Sequence, residues 1–340
     1  MVPVIAVDYT ISTGKVGIIS TAQLVGFVIA SWLIPRHVTP RRRTMVIALL
    51  LGVAANLAAV VAPTFVLVTA TRFVNGLSLG LIAWLSWAEV FGDDDRVSDI
   101  AMIGPLVGTL AAPLAAAVLD LSNLDGLFIV LAVLYLTPLP FVAKMNLSIE
   151  TPPRDARHRP ARSALVILIA LGAYTFGSSA VSVFSAAIAS DLIKMSPTTI
   201  ALAFSVGSLA GIPAARFKGH RRGSGLWLVV TAVSVFAVSA VYHQVIFIVA
   251  FAAWGFSFWM TLPAAFSLLA TNSRYPAERA GDAQAIMAAG RVIGPLAGGL
   301  AYEFSPRMLG AVAAAAMVMA AIMLLAIEKP GKRVEVTSPG

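Results

Sequence analysis

The chain has 340 residues, of which 59% are hydrophobic and only 12% are charged. A soluble domain of this length is far less apolar, so the composition predicts a protein with several membrane-spanning helices. The chain has no cysteine, which excludes disulfide bonds, thiolate metal sites and cysteine nucleophiles. The formal net charge is +8, but membrane topology explains basic residues in short loops, so we expect no nucleic-acid partner.

Hydropathy predicts eleven spans separated by short polar turns. They cover residues 16–34, 44–62, 65–88, 100–119, 124–142, 164–189, 198–215, 226–241, 245–269, 283–302 and 308–327. The longest interruption is rich in Arg and Pro and is predicted to join two halves. We therefore expect an N-terminal bundle of five spans (1–143), a cytoplasmic linker (144–163), a C-terminal bundle of six spans (164–328) and a cytoplasmic tail (329–340).

Lys and Arg predict the orientation, because the cytoplasmic loops of membrane proteins are enriched in them. One set of loops, together with the linker and the C-terminus, carries nineteen of these residues, whereas the opposite set carries only Lys15, Lys194 and Arg307. The nineteen-residue side is predicted to be cytoplasmic. The abundance of Arg over Lys and of Ala favours a bacterial origin, and hence the inner membrane.

The two halves contain related sequences. Ile103–Gly108 reads Ile-Gly-Pro-Leu-x-Gly, and the same pattern recurs 190 positions later at Ile293–Gly298. Gly26–Arg43 and Gly207–Arg222 are both apolar helix ends that open with Gly and close on a basic cluster. A repeat of this length is typical of secondary transporters.

The repeat also predicts one further helix. The first span after the linker has no counterpart in the first half, but Ile5–Asp8 matches Ile188–Asp191 at the outer end of that span. We therefore expect Asp8 to end a helix whose remainder precedes Met1. The alternative is a natural eleven-span protein.

With two related halves and a basic linker, the chain resembles the major facilitator superfamily over nearly its whole length. The turn after residue 30 resembles the family's Gly-x-x-x-Asp-Arg-x-Gly-Arg-Arg motif, with Pro35 in place of the aspartate. Arg72–Gly80 is similar to the Arg-x-x-Gln-Gly-x-Gly motif of proton-coupled drug antiporters, with Asn75 for the glutamine. Gly104–Thr109 and Gly294–Gly299 are similar to the antiporters' Gly-Pro-x-x-Gly-Gly motif.

This resemblance implies two pseudo-symmetric bundles of a twelve-helix family, with a solute site near the bilayer midplane. It implies transport of a small organic solute by alternating access, with proton-coupled efflux as the first expectation. Uptake of a polar or anionic metabolite and a non-transporting truncated protein remain alternatives. We expect the protein to be a monomer and not an enzyme, without a cofactor or a metal. Its expected partners are the solute, protons and the lipid bilayer.

Two arginines are predicted near the middle of the bilayer. Arg72 follows Thr64 by eight residues and Arg291 follows Asp282 by nine, which is about 12–13 Å along a helix. A charge at this depth costs a few kcal/mol unless it meets water or a partner. One interpretation is that both arginines face the solute cavity. The alternative is that Arg72 packs on backbone carbonyls and that Arg291 extends to the near membrane interface.

Other side chains are predicted to line the solute or proton pathway. Polar amides in hydrocarbon favour a partner, which selects Asn75 and Gln284. In the family the first, fourth, seventh and tenth helices face the cavity, which selects aromatic residues of these helices: Tyr174, Trp254 and Trp259, with Trp84, Trp87, Phe176 and Phe258. The alternative for each aromatic residue is packing against lipid.

Two further groups complete the predicted functional residues. A helix-packing motif comprises Gly104, Pro105, Gly108, Gly294, Pro295, Gly298 and Gly299, because small residues let helices approach closely. A cytoplasmic gate of charged loops comprises Arg36, Arg41, Arg42, Arg43, Asp93, Asp94 and Asp95, for which solvated loop charges are the alternative.

No Asp or Glu is predicted at the middle of any span, although a proton-coupled carrier needs a titrating group there. Either the helix before Met1 supplies one, or the uncompensated positive charge favours an anionic or neutral polar solute.

Overall fold

The computed structural model describes residues 2–34, 38, 41–90, 94–145, 159–216, 223–273 and 276–328. Within these ranges, ten helices are long and apolar enough to cross a membrane, and Ser224–Ala240 is a shorter apolar helix. Each predicted span coincides with one of these eleven, so the all-α polytopic architecture is confirmed. The helices are α1 (Val2–Asp8), α2 (Val16–Val28), α3 (Arg42–Val60), α4 (Phe65–Val90), α5 (Asp94–Leu121), α6 (Leu124–Leu136), α7 (Arg162–Ala187), α8 (Pro197–Arg216), α9 (Ser224–Ala240), α10 (Gln244–Thr271), α11 (Pro276–Phe304) and α12 (Pro306–Glu328).

The predicted span 124–142 lies within one candidate membrane span, Leu124–Lys144. Its α-helix ends at Leu136, and a 3-10 helix follows over Leu139–Lys144. Pro138 and Pro140 explain this change of helix type, because proline has no N–H to continue the hydrogen-bond ladder of an α-helix.

The long helices run alternately between two ends of the molecule. We call the end that carries few basic residues the Arg-poor end; its connections are residues 9–15, 61–64, 122–123, 193–196, 241–243 and 305. The opposite end, which carries the loops predicted to be cytoplasmic, is the Arg-rich end. In the N-terminal half α2 and α3 pack on α4, and α3 packs on α6. In the C-terminal half α7 packs on α11 and α12, α9 on α10 and α12, and α8 on α10.

Glycines make two equivalent crossings, one in each half. Where α2 crosses α4, a Cβ on Gly26 would overlap the carbonyl oxygen of Phe73, and a Cβ on Gly76 would overlap that of Gln23. Where α8 crosses α10, a Cβ on Gly255 would overlap the carbonyl oxygen of Gly207. Backbones in contact at both crossings leave no room for any side chain, which explains why glycine occupies these positions.

The halves meet along two helix pairs, α2 with α11 and α5 with α8. In the sequence repeat α2 corresponds to α8, and α5 corresponds to α11. The two interfaces are therefore copies of each other, as expected for halves related by a pseudo-two-fold axis.

The equivalent helices α5 and α11 differ in how they are covered. In α11 Gly294 is buried against α7, and a Cβ there would lie 2.6 Å from the carbonyl oxygen of Phe176. The equivalent Gly104 in α5 is exposed, and a Cβ there would meet nothing nearer than the Trp259 ring at 3.7 Å. The helix expected before Met1 stays a prediction.

The short helix α1 lies at the Arg-poor end. After it, the Tyr9 hydroxyl donates to the carbonyl oxygen of Ala62 at 3.0 Å. Burial, followed by the nearby carboxylates of Asp125 and Asp8, raises the pKa of Tyr9. This contact ties the segment before α2 to the connection between α3 and α4.

Candidate functional site

A cavity of about 260 Å³ lies where α5 of the N-terminal half faces α7, α8 and α10 of the C-terminal half. Trp254 follows the start of α10 by ten residues and Trp259 precedes its end by twelve, so both lie about 15–18 Å from the helix ends and near the middle of a bilayer. The walls are Gly104, Pro105, Ser182, Phe204, Gly207, Ser208, Phe251, Trp254, Gly255, Phe258 and Trp259. The predicted pathway residues Trp254 and Trp259 thus come together here with Gly104 and Pro105 of the predicted packing motif.

The aromatic residues of this wall pack on one another. The ring centroids of Phe204 and Phe251 are 4.7 Å apart, those of Phe251 and Trp254 are 5.3 Å apart, and those of Phe258 and Trp259 are 5.5 Å apart. Offset, tilted and edge-to-face pairs at these distances stabilise a cluster beyond the area they bury. The result is a preformed aromatic wall on α8 and α10.

Tyr174 and Arg291 lie behind this wall. The Tyr174 ring is 5.7 Å from that of Phe258, and the residue is only 1% exposed. Its hydroxyl has no hydrogen-bond partner among the described residues. Arg291 directly follows Gly290 of α11, and a Cβ on Gly290 would overlap the carbonyl oxygen of Gly172 and the Thr175 hydroxyl, on either side of Tyr174 in α7. These two predicted residues therefore stand together, next to the cavity rather than in its wall.

Arg72 lies inside the N-terminal half and does not line the cavity. Its Nη2 donates to Oδ1 of Asn56 on α3 at 3.1 Å, and to the carbonyl oxygen of Ala55 at 3.5 Å. Its guanidinium carbon is 4.7 Å from the centroid of the Phe128 ring on α6. In the described part of the chain Arg72 forms no ion pair, and its Nε atom has no hydrogen-bond partner. The arginine thus joins α3, α4 and α6 while its charge stays uncompensated.

Asn75, one turn further along α4, is also part of this polar group. Its Nδ2 donates to the Tyr135 hydroxyl of α6 at 3.1 Å. The remaining predicted amide, Gln284, is exposed on α11 and is not near these groups. Sequence reasoning missed Asn56 and Tyr135, although a single asparagine in the apolar run of α3 was a usable signal.

A second feature that the sequence did not predict closes the Arg-poor end. There the Ser12 hydroxyl donates to a carboxylate oxygen of Glu303, which joins the segment before α2 to the end of α11. A Cβ on Gly17 would lie 2.5 Å from the carbonyl oxygen of Pro295. We call this contact between α2 and α11 the seam. The halves are therefore in contact at the Arg-poor end and at mid-depth.

The sequence assigns the chain to a family. Residues 1–291 match the Major Facilitator Superfamily. The chain belongs to this superfamily. It is accordingly a membrane transport protein rather than an enzyme.

Solved structures of other members of the superfamily have the same fold. The human organic anion transporter MFSD10 (TETRAN) is 14% identical with a TM-score of 0.70, over 91% of this chain and 83% of that one. A variant of the nucleoside transporter NupG is 12% identical with a TM-score of 0.72, over 95% of this chain and 92% of that one. A search of curated protein sequences finds no match. At these identities the likeness shows the fold and leaves the solute open.

The glycine–proline motif of this superfamily member serves two interfaces. Gly294 and Gly298 face α7, whereas Gly299 faces the turn before α2, where its Cβ would lie 2.5 Å from the carbonyl oxygen of Gly14. In the copy on α5, a Cβ on Gly108 would lie 2.8 Å from the Ser208 hydroxyl of α8. The motif therefore supports packing within the C-terminal half and contact between the halves.

The predicted cytoplasmic gate is described only in part. Arg41, Arg42 and Arg43 are exposed, and Nε of Arg42 donates to the carbonyl oxygen of Met145 at 2.9 Å. Arg36, Asp93 and the side chains of Asp94 and Asp95 lie outside the described residues. Asp282 forms an ion pair of 2.6 Å with Arg279 one turn earlier in α11. The gate stays a prediction.

Proposed function

We propose that this superfamily member is a secondary active transporter in which the cavity between the halves binds a small organic solute. The cavity's place carries the proposal, since it lies at mid-depth and is lined by both halves. Movement of one half against the other would change which end reaches such a cavity. The site residues named above then act by binding and by positioning, since transport makes and breaks no covalent bond in the solute.

The seam supports alternating access as the mechanism. With the Arg-rich end in the cytoplasm, contact of α2 with α11 at the opposite end corresponds to a form that is closed to the outside. Opening to the outside would separate Ser12 from Glu303 and the backbone at Gly17 from Pro295. The interfaces are copies of each other, so a rocking motion about the contact between α5 and α8 would exchange the two forms.

We further propose export driven by protons, in a monomer in the bacterial inner membrane with a cytoplasmic C-terminus. The resemblance of Gly104–Thr109 and Gly294–Gly299 to the antiporter motif supports export, and the distribution of Lys and Arg supports the orientation. Uptake uses the same site in the opposite direction.

Inverted bacterial membrane vesicles test this function. A fluorescent pH probe reports an imposed proton gradient, and solutes of differing charge and polarity are added in turn. Proton-driven export predicts a loss of the gradient that depends on the solute and on the protein. A protonophore should abolish accumulation of the active solute. Vesicles with the protein that respond to every solute like vesicles without it would contradict the proposal.

A further inference from the structure

We infer that the solute is an uncharged aromatic compound of one or two rings that carries a hydroxyl or similar hydrogen-bonding group. This inference rests on the proposed function, because it names the solute class for the same cavity. Its first support is the wall itself, in which five of the lining residues are aromatic: Phe204, Phe251, Trp254, Phe258 and Trp259. Planar solutes stack on such side chains. Because the wall is already packed, binding costs little side-chain entropy.

Two serines supply the polar part of the wall. Ser182 lies on α7 and Ser208 on α8. The Ser182 hydroxyl donates within its own helix, to the carbonyl oxygen of Ser179 at 3.3 Å, which leaves its oxygen lone pairs as acceptors. A few placed polar groups in an otherwise apolar wall fix the orientation of a ligand. A solute with one hydroxyl donor matches this arrangement.

The charges of the spans disfavour a cation. No charged side chain is among the described residues of the wall. The arginines within the spans, Arg72 in the N-terminal half and Arg291 in the C-terminal half, have no carboxylate partner in the described helices. Aromatic walls alone would attract a cation, but uncompensated positive charge in a medium of low dielectric constant repels one over a longer range.

The same geometry disfavours an anion. Arg291 is not among the residues that line the cavity, so it offers an anion no direct contact there. An anion would be attracted by the same distant positive charge, but against rings and two serines it would lose its hydration without a charged hydrogen-bond partner. The volume of about 260 Å³ lies just below the usual range for ligand sites. It therefore suits a small solute.

Three indoles of equal ring size and chain length test the inference. Indole-3-ethanol is neutral, tryptamine is a cation and indole-3-acetate is an anion at pH 7. Binding of tritiated indole-3-ethanol to the full chain in nanodiscs is measured by scintillation proximity, with the other two as competitors. We expect tryptamine and indole-3-acetate to bind at least about tenfold more weakly.

Substitutions locate the binding. Trp259→Leu should weaken binding of indole-3-ethanol about tenfold or more, in line with the value of stacking on an aromatic side chain. Ser182→Ala, at an exposed position, should weaken indole-3-ethanol several-fold and leave indole itself unchanged. The matched control is Trp227→Leu, because Trp227 packs on Phe256 of α10 away from the cavity. This control should bind all three ligands like the natural chain.

The outcomes separate the solute class from the function. Tighter binding of either charged indole would overturn the inference, and so would binding of none of the three or an equal effect of Trp259→Leu and Trp227→Leu. If these results come with a solute-dependent loss of the pH gradient in vesicles, transport stands and only the solute class is wrong. If no solute causes a loss of the pH gradient in the vesicles either, both the solute class and the proposed function are wrong.

Discussion

Arg72 and Asn56 are joined by a hydrogen bond of 3.1 Å between Nη2 and Oδ1, in the buried interior of the N-terminal half. Because Arg72 has no carboxylate partner in the described helices, this amide oxygen and the Phe128 ring carry most of its stabilisation. These contacts join α3, α4 and α6, which the depth of Arg72 alone did not reveal.

A double-mutant cycle measures that relationship. Arg72→Gln and Asn56→Ala should each lower the free energy of unfolding by about 1–3 kcal/mol, as expected for a hydrogen bond to a charged group. The double variant should lose less than the sum, with a coupling of about 0.5–3 kcal/mol. Unfolding in detergent supplies the values. As a control, the losses of stability from Arg72→Gln and from Thr231→Ala in the other half should add. If the losses from Arg72→Gln and Asn56→Ala also add, the contact between Arg72 and Asn56 is absent.

The glycine crossings predict an all-or-none effect on folding. Gly76→Val and Gly255→Val should each prevent assembly, because the new side chain would overlap the backbone of a crossing helix. Gly104→Val is the matched control, since the nearest atom to its Cβ is 3.7 Å away. Gel filtration of tagged protein measures the monodisperse yield. A normal yield for Gly76→Val would mean that α2 and α4 do not cross there.

Tyr174, which is buried, and Tyr135, which is half-buried, should respond in opposite directions to removal of the hydroxyl. Tyr174→Phe deletes a buried hydroxyl that has no hydrogen-bond partner in the described part of the chain, so we expect the free energy of unfolding to rise by about 1 kcal/mol. Tyr135→Phe deletes the acceptor of the Asn75 amide, and the same quantity should fall by about 0.5–1.5 kcal/mol. Thermal unfolding of the two variants, measured side by side, tests both expectations. A loss of stability in Tyr174→Phe would mean that the Tyr174 hydroxyl is hydrogen-bonded.

The seam predicts that a cross-link at the Arg-poor end stops transport. The chain has no natural cysteine, so Ser12→Cys with Glu303→Cys provides the only two thiols, on residues that are in contact. A disulfide between them should abolish the solute-dependent loss of the pH gradient, and reduction should restore it. Each single variant is the control for the substitutions themselves. Transport by fully cross-linked protein would show that the seam need not open.

Much of the architecture was predictable, because spans of about twenty apolar residues have few alternatives to membrane helices. The repeat of Ile103–Gly108 at Ile293–Gly298 further indicated two halves, and the comparison with the superfamily confirms this fold. The arginine positions within α4 and α11 also followed from counting residues along a helix.

The partners of those residues were not predictable in the same way. Lipid is as apolar as the interior of a helix bundle, so hydropathy does not reveal which face of a span is buried. The cavity side of Trp254 and Trp259 came from a family rule, while Asn56 beside Arg72 and Ser12 beside Glu303 depend on how helices rotate about their axes. Gln284 was selected by the same reasoning as Asn75 but is exposed. Hydropathy did not reveal this difference between the two amides.

Alternating access itself is tested most directly by distances between the halves at both ends. Spin labels at Lys15→Cys and Arg307→Cys report the Arg-poor end, and labels at Arg43→Cys and Arg216→Cys report the Arg-rich end, all at exposed positions. Double electron–electron resonance in nanodiscs should show two distance populations for each pair. A change of pH or solute that lengthens one distance should shorten the other. A single, unchanging distance at both ends under all conditions would contradict transport by alternating access.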